Sequence, residues 1–517
     1  MILGLSFPPF HLAWLAFVGF VPLLLAMEEV ADYRETLKTA YFGFLVFNII
    51  TIYWVGGWNK DADPFMMIGG AALVAAHPLF FAVPILVYHF IRKKLGRRAI
   101  LLFPFLFLTF EYLHSITQVA FPWLTVGYSQ SYNLADIQMA SFTGLFGISL
   151  QILLVGSVLT YAVILLNDGR RRDAVVALAS ALALALIPEV YGLVVLNNSK
   201  SHKYPDQIKV AVIQPNIDPY AKWMANPRRI LMTYEHETIG VLNKKPTFVV
   251  WPETAIPFYI LLPYYSNDLH VLQTFIDTTG ISLLSGVPLA RYYSDSSDAK
   301  ADSHYDPIMQ EYYDAYNGAA LFQPHVTNYQ TYGKIILVPF AERIPYADHV
   351  PFLINVLKWG VGISNWARGT DTTVFRLKNG NTFSTMICYE SIFPGYVRQF
   401  TSKGADFLVI ITNDGWFGKL SGTYQHAAYA IFRAVENRRV VIQSANTGIS
   451  EILDPYGRYI AGPTKIDEKT TLVSNIPIVT RKTFYAEHGN WIATLAGIIS
   501  VASILFALFL KFRSKFS

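Results

Sequence analysis

Long apolar runs occupy the two ends of the chain, whereas residues from about 200 to 487 alternate short apolar runs with polar segments. A run of ~20 apolar residues is long enough to cross a bilayer as a helix. The pattern predicts about eight membrane segments, at 2–10, 12–27, 39–58, 65–90, 99–113, 137–166, 174–196 and 491–510. The first and fifth are shorter than a full span, so we expect them to be half-spanning or re-entrant.

The central stretch has the pattern of a globular α/β domain. Short apolar runs predict strands at 208–214, 248–253, 281–287, 319–324, 383–390, 407–414, 439–446 and 471–476. Helix signals lie between these runs, such as Asn226 before Pro227 and the stop at Gly280. A hairpin turning at Pro455 to Gly457 adds antiparallel pairing. We expect a helical bundle of about seven segments at 1–196, a globular domain at 197–487, and a final helix with a basic tail at 488–517.

Composition and charge support a membrane protein and orient it. Hydrophobic residues make up 53% of the chain and charged residues only 15%, against ~25% charged in ordinary soluble domains. Cytoplasmic loops collect Lys and Arg, and three basic clusters fall on one side of the predicted bundle: Arg92, Lys93, Lys94, Arg97 and Arg98; Arg170, Arg171 and Arg172; Lys511, Arg513 and Lys515. The globular domain is therefore expected on the opposite, extracytoplasmic side. The net charge of +5 is explained by these clusters and predicts no nucleic-acid partner.

The only cysteine in the chain, Cys388, lies where a predicted strand meets a predicted helical stretch. Helix amides at such a turn favour the thiolate and lower a thiol pKa from its ordinary ~8.5. Cys388 is therefore a candidate nucleophile, although a lone cysteine is more often a buried apolar residue of the core. A single cysteine forms no internal disulfide, so the thiol should be free in an oxidising compartment.

A cysteine nucleophile needs a base for its proton and a cation for the developing oxyanion. Glu253 follows the apolar run FVVW and lies between a tryptophan and prolines, a setting that raises a carboxyl pKa. Lys334 precedes another apolar run. The alternative for Glu253 is an exposed carboxylate at a strand end, and the alternative for Lys334 is a solvated lysine. No metal site is expected, because His236 with Glu237 lacks the second histidine of a zinc helix.

The order WPE, KIILVPFAE and CYE resembles the nitrilase superfamily over about residues 208–478. This resemblance implies a four-layer αββα sandwich and a triad of Glu253, Lys334 and Cys388. It also implies acyl transfer through a thioester on the cysteine, without any cofactor.

With its membrane segments included, the whole chain resembles the apolipoprotein N-acyltransferase family. Further matching stretches are VIQPNIDPYAKW, ITNDGWFG, TYQHAAYAIFRAVENRR and ANTGISEILDPYG. The chain departs from the family at Ala341, where glycine is usual, and at Arg343, where an aromatic or aliphatic residue is common. The resemblance implies a phospholipid acyl donor and the α-amine of a diacylglyceryl-cysteine apolipoprotein as acceptor. It further implies a monomer in a bacterial inner membrane, with the catalytic domain on the periplasmic side.

The same resemblance assigns supporting roles to five residues. Glu342 would orient Lys334, while Tyr389 and Glu390 would shape the pocket beside the nucleophile. Trp223 and Trp416 would line the path of the lipid or lipopeptide. Independently of the resemblance, Glu111 lies at the end of the fifth segment, where unpaired polar groups are costly and often functional, so we expect it to contact substrate. Ordinary structural hydrogen bonding or core packing is the alternative for each of them.

Two other functions remain open at this point. A membrane-tethered amidase of nitrilase type would use water as its second acceptor, but it would not need a lipid-facing bundle. A non-catalytic membrane receptor or assembly protein would not need Glu253, Lys334 and Cys388 together.

Overall fold

The computed structural model describes residues 1–58, 64–201, 204–218, 226–300, 303–346 and 366–516. The chain divides into two compact units. The helical unit contains Met1–His202, Leu420–Glu436 and Thr483–Ser517. The sheet unit contains Lys203–Lys419 and Asn437–Lys482.

The helical unit is built from long apolar helices and short turns. Its α-helices in the two terminal stretches are Ala16–Gly19, Val21–Glu29, Tyr33–Ile52, Pro64–Leu95, Phe103–Ser115, Ala140–Thr143, Leu145–Asn167, Arg171–Ser199, Phe484–His488 and Trp491–Phe516. Local signals set several ends: Asp32 caps Tyr33–Ile52 by accepting the Glu35 N–H, and Arg92, Lys93 and Lys94 complement the dipole at the end of Pro64–Leu95.

Five helical stretches in the described residues are long and apolar enough to cross a membrane: Tyr33–Gly56, Met66–Leu95, Leu145–Asn167, Arg171–Ser199 and Trp491–Arg513. The sequence pattern predicted about eight segments. The predicted first segment contains only the 3₁₀ turn Gly4–Ser6, and the predicted fifth contains the 13-residue helix Phe103–Ser115. The chain is therefore a multi-pass membrane protein with five candidate spans.

The helix Ser421–Asn437 belongs almost entirely to the helical unit, although it is far along the chain from the bundle. The Gln425 Oε1 accepts hydrogen bonds from the indole N–H groups of Trp54 (3.0 Å) and Trp123 (2.7 Å). Its Nε2 donates to the carbonyl oxygens of Pro8 and Thr51. The buried amide thus uses its full set of donors and acceptors within this unit.

The described part of the sheet unit contains two β-sheets. The strands are β1 Gln207–Gln214, β2 Phe248–Val250, β3 Ser282–Tyr292, β4 His304–Asp306, β5 Glu311–Phe322, β6 Gln330–Gly333, β7 Phe375–Arg376, β8 Thr382–Ile387, β9 Phe407–Thr412, β10 Val440–Ala445, β11 Glu451–Leu453, β12 Tyr459–Ala461 and β13 Thr470–Pro477. One sheet has the order β13-β1-β2-β3-β5-β4, with β6 on β5, and the other has the order β12-β11-β10-β9-β8-β7.

Apolar side chains join the two sheets face to face. The ring centroid of Phe248 in β2 lies 4.8 Å from that of Phe383 in β8 and 5.8 Å from that of Phe407 in β9. The helices Pro227–Ile239 and Ser266–Thr279 bury Tyr234, Leu272 and other apolar residues against β1, β2 and β3. The unit is an α/β sandwich, and each of the eight predicted strand regions contains a strand.

The two sheets contain both parallel and antiparallel strand pairs, which agrees with the antiparallel hairpin predicted from the sequence. β1, β2 and β3 pair in parallel, and so do β8, β9 and β10. The predicted hairpin is formed by β11 and β12. Because parallel strands end at the same edge of a sheet, residues that follow β2, β8 and β9 are brought towards shared edges.

Candidate active site

The strand ends of the sheet unit position the three residues predicted to form the triad. Glu253 lies just beyond β2, Lys334 directly follows β6, and Cys388 directly follows β8 at the start of the 3₁₀ turn Cys388–Ile392. The backbone of Cys388 has φ +50°, a conformation uncommon outside glycine. The tight turn between strand and helix therefore holds the sulfur in a strained, well-defined position.

The side chains of these residues form one cluster with Glu342, in which Glu253 and Lys334 are buried and Cys388 and Glu342 are half-buried. The Lys334 Nζ lies 2.8 Å from the Glu342 Oε1 and 3.8 Å from the Glu253 Oε1. The Lys334 side chain is only 1% exposed, and the charges of Glu253 and Lys334 both act on Cys388. A carboxyl group, an ammonium group and a thiol are thus within electrostatic reach of one another.

Burial and charge set the proton affinities in this cluster. Burial raises the pKa of Glu253 above its ordinary value, although Lys334 opposes the rise. Burial lowers the pKa of Lys334, but Glu342 and Glu253 more than offset this and hold its pKa above the usual range. Lys334 therefore stays cationic, and Glu253 has the raised basicity expected from its sequence setting.

The expectation of a lowered pKa for Cys388 is wrong. Burial raises the pKa of the Cys388 thiol well above its ordinary value, and the Glu253 carboxylate adds to the rise, while Lys334 opposes it. The turn geometry is present, but burial beside a carboxylate outweighs the effect of helix amides. The resting residue is a thiol, so it needs a base at the moment of attack.

Asn317 completes the cluster and was missed by the sequence reasoning. Its Nδ2 donates to the Glu253 Oε1 (2.8 Å) and to the Glu342 Oε1 (3.1 Å), so that one amide bridges both carboxylates. Its carbonyl oxygen accepts the Lys334 N–H at 2.8 Å. The available signal was a polar side chain at the start of the apolar run in β5.

Glu342 is held by its own turn beside Lys334. Its Oε1 accepts from the Lys334 Nζ, and its Oε2 accepts the Val338 N–H at 2.8 Å. The Glu342 N–H donates to the Val338 carbonyl oxygen, which closes the turn. Glu342 can therefore hold the Lys334 ammonium with one carboxylate oxygen while the other oxygen stays bound to its own turn.

Glu390 links the segments that carry the nucleophile and the lysine. Its carboxylate accepts the N–H of Ile387 (2.9 Å), just before Cys388, and the N–H of Ile335 (2.7 Å), just after Lys334. The Tyr332 hydroxyl donates to it at 2.7 Å. Burial raises the pKa of Glu390, but these hydrogen bonds to the charged form oppose the rise.

The end of β9 and the turn after it bring two more polar groups to the nucleophile, Thr412 and Asp414. The Thr412 Oγ1 donates to the Asp414 Oδ1 at 2.8 Å, and Thr412 also has a side-chain hydrogen bond with Cys388. The buried charge of Asp414 contributes to the raised pKa of Cys388. The sequence reasoning missed both residues, although they lie in the ITND stretch of the resemblance.

Comparisons with known proteins cover both parts of the chain. The family model described as the N-terminal domain of apolipoprotein N-acyltransferase matches residues 1–158, and the carbon-nitrogen hydrolase model matches residues 209–484. The apolipoprotein N-acyltransferase of Chlorobaculum tepidum is 32% identical, with 98% of this chain and 95% of that protein covered. That of Geobacter metallireducens is 30% identical, over 98% of this chain and 94% of that protein.

The chain belongs to the apolipoprotein N-acyltransferase family. It therefore has the carbon-nitrogen hydrolase domain of a nitrilase-superfamily enzyme, in which Cys388 is the single cysteine. Solved structures are more distant. Nit3 of Saccharomyces cerevisiae, a nitrilase-superfamily member, is 18% identical over 53% of this chain and 92% of that chain, with a TM-score of 0.36. The NitN amidase of Nesterenkonia sp. AN1 is 16% identical over 56% of this chain and 98% of that chain, with a TM-score of 0.38.

The remaining residues that the acyltransferase resemblance singled out are in different places. Tyr389 is buried in the turn after Cys388, with its ring 5.2 Å from that of Phe393. Trp416 is half-buried in the 3₁₀ turn Asp414–Phe417. Glu111 belongs to the helical unit, where its Oε1 accepts the Val126 N–H at 2.7 Å. Trp223 lies outside the described residues.

The two departures from the usual family sequence lie in the turn that carries Glu342. Ala341 sits beside Phe340, which has φ +64°. The Arg343 Nη1 donates to the Trp366 carbonyl oxygen at 3.0 Å. Neither departure displaces Glu342 from the lysine.

Proposed function

We propose that this protein transfers a fatty acyl chain from a phospholipid to the α-amine of the N-terminal diacylglyceryl-cysteine of an apolipoprotein. The observation that carries the proposal is the buried cluster in which Glu253, Lys334 and the single cysteine interact. Full-length similarity to apolipoprotein N-acyltransferases supports the choice of acceptor.

In the first step, Glu253 accepts the Cys388 proton while the sulfur attacks an ester carbonyl of the phospholipid. The resulting oxyanion is stabilised by the Lys334 ammonium and by the Tyr389 backbone N–H. The carbon–oxygen bond of the ester then breaks, and Glu253 returns the proton to the departing oxygen. A lysophospholipid leaves, and the acyl chain remains on Cys388 as a thioester.

In the second step, the α-amine of the acceptor attacks the thioester carbonyl. Glu253 accepts a proton from the amine, the carbon–sulfur bond breaks, and the proton returns to the Cys388 sulfur. The product is an amide, and no cofactor is required by this sequence of steps. The raised pKa of Glu253 supports the proposal, because a carboxylate must bind and release a proton in each step.

Supporting residues act around this chemistry in the same proposal. Glu342 orients Lys334, and Glu390 and Tyr389 shape the pocket. Trp223 and Trp416 line the path of the lipid or lipopeptide, and Glu111 contacts substrate from the helical unit. The hydrogen bonds of Glu342 and Glu390 support the first two assignments.

The proposed setting is a bacterial inner membrane. We infer about eight membrane segments, of which five are the candidate spans, with the shorter segments as partial crossings. The proposed boundaries are 1–196, 197–487 and 488–517, and the basic clusters support a periplasmic position for the middle domain. The protein acts as a monomer in this proposal.

Intact-protein mass spectrometry tests the transfer directly. The purified protein is incubated with phospholipid, and a diacylglyceryl-cysteine peptide is then added, with Cys388→Ala as the matched control. The expected result is an acyl adduct on wild-type protein only, which disappears as the peptide gains an amide-linked chain. An adduct released by water without acylation of the peptide would favour an amidase, and absence of any adduct would favour a non-catalytic role.

A further inference from the structure

The described part of the sheet unit contains an open groove of about 380 Å³ that is separate from the residues of the proposed triad. One wall comes from β3, through Pro288, Leu289 and Arg291. A second comes from Leu261 and Leu262, and the segment at 368–373 closes the third side. Its volume lies in the range of ligand pockets, about 300–1,000 Å³.

The groove combines an apolar wall with two guanidinium groups. The Arg368 Nε donates to the Ile335 carbonyl oxygen at 3.0 Å, which holds the side chain, and its two terminal nitrogens have no hydrogen bond to the residues that the structure describes. Within the described residues, Arg291 has no hydrogen bond or ion pair through its guanidinium. Asp371 is the only carboxylate residue lining the groove in this part of the chain, so its lining residues carry a net charge of about +1.

The walls of the groove are continuous with the segments that carry two proposed catalytic residues. Leu261 and Leu262 follow Glu253 along the chain, and Gly333 of the lining directly precedes Lys334. The Gly369 N–H donates to the Lys334 carbonyl oxygen at 2.8 Å. A Cβ at Gly369 would lie 2.1 Å from the Gly333 carbonyl oxygen, so the closing segment needs glycine for this close approach.

Two guanidinium groups lining one groove with an apolar wall match an amphiphile that carries a phosphate. A guanidinium presents several N–H donors to phosphate oxygens, and it is less strongly hydrated than an ammonium. The leucines and Pro288 offer contacts for the hydrocarbon part next to that charge. A neutral ester would leave both arginines without an anion.

We propose that this groove binds the phosphate-bearing head of the glycerophospholipid donor, with Arg291 and Arg368 contacting the phosphate. The inference rests on the proposed acyl transfer and adds a donor-binding site to it. Arg291 and Arg368 act as specificity-determining residues, since they favour a donor with a phosphate over an ester of similar hydrocarbon length without one.

The double variant Arg291→Gln/Arg368→Gln tests this assignment in the full-length protein. Acyl transfer is measured at a fixed concentration of diacylglyceryl-cysteine peptide, with phosphatidylethanolamine or a diacylglycerol of the same chains as donor. The wild-type preference, as the ratio of the two kcat/KM values, is expected to fall about tenfold in the variant because charge-assisted hydrogen bonds are lost. Arg229→Gln is the matched control, because Arg229 is an exposed arginine of the same unit outside the groove.

A preference that stays at the wild-type value in the double variant would overturn the assignment. A fall in kcat/KM for the acceptor peptide with unchanged donor preference would also overturn it, since the groove would then bind the acceptor. Failure of the wild-type protein to transfer any acyl chain would instead count against the proposed function. Equilibrium binding of dihexanoylphosphatidylethanolamine to Cys388→Ala, with and without the two arginines, tests the groove in that case: equal affinity would overturn the proposal.

Discussion

Two carboxylate clusters of the sheet unit act next to the same nucleophile, but their carboxylates are held by different kinds of partner. The base cluster contains Glu253, Glu342, Lys334 and Asn317, and its carboxylates outnumber its cation. The anchor cluster is built on Glu390, whose oxygens accept hydrogen bonds from backbone N–H groups and from Tyr332.

The difference indicates which carboxylate can exchange a proton. Backbone N–H groups cannot leave Glu390 without moving the strand ends that carry them, so they fix its charge and position. Glu253 is held by the side chains of Asn317 and Lys334, in an environment with excess negative charge. In the proposed mechanism, the anchor cluster therefore sets the geometry and the base cluster performs the proton transfer.

Glu253→Gln should produce the largest loss of activity. The change keeps the shape but removes the base, so acylation of Cys388 is expected to slow by roughly 10³-fold. The measurement is the rate of adduct formation by intact-protein mass spectrometry. A loss of less than about tenfold would contradict the assignment of the base.

The same variant should not lose stability. The pKa of Glu253 is raised in the folded protein, so its favourable contribution is present below the unfolded-state pKa and is lost as pH rises through the folded-state pKa. Above its folded-state pKa, the ionised carboxylate therefore opposes folding. Thermal unfolding at pH 7 should give a Tm for Glu253→Gln equal to or above that of wild type.

Glu390→Gln should reduce both activity and stability. One carboxylate oxygen becomes an amide donor that faces the donors of Ile387, Ile335 or Tyr332, so at least one buried group loses its partner. The expected cost is about 1–3 kcal/mol in the free energy of unfolding, with acylation slowed about 100-fold by the displaced turn. Chemical denaturation and adduct formation check the two effects, and a variant of wild-type stability would contradict the anchor role.

Asn317→Asp should move the pH dependence rather than abolish activity. A third carboxylate beside Glu253 raises its pKa further, so the acid limb of the acylation profile should shift to higher pH. Asn317→Ala is the matched control, because it removes the bridge without adding charge, and we expect about a tenfold loss. An acid limb at the same pH in Asn317→Asp and wild type would show that Asn317 does not act on the base.

Tyr332→Phe should have the smallest effect. It removes one hydroxyl from the anchor cluster but leaves the backbone donors of Glu390 in place. The expected change is about 1 kcal/mol in the free energy of unfolding and a few-fold loss in acylation rate. A loss as large as that of Glu390→Gln would show that the hydroxyl, not the backbone, holds the carboxylate.

Local patterns predicted the α/β architecture and its strands, because apolar runs and turn residues act over short distances. The extent of β3 was missed: the predicted run ends at Val287, before Pro288, but pairing with β5 continues the strand to Tyr292. Polar residues in that extension are stabilised by cross-strand neighbours, which no local pattern records.

In the candidate site, too, local patterns predicted individual residues but not their tertiary neighbours. Glu253, Lys334 and Cys388 were recognisable because each follows or precedes an apolar run in a known order of motifs. Asn317 was not, because its role depends on where β5 places it relative to two glutamates that lie elsewhere in the chain. The raised pKa of Cys388 also depends on tertiary burial, which a turn motif cannot report.

The central claim is that Glu253 accepts the proton of Cys388, and the pH dependence of acylation tests it most directly. Adduct formation on wild-type protein should fall as pH is lowered, with an acid limb above the ordinary glutamate pKa of ~4.5. Glu253→Gln should lack this limb, and its residual rate should rise only as the Cys388 thiol ionises at high pH. The same acid limb in both proteins would contradict the claim, because the proton would then go to another group.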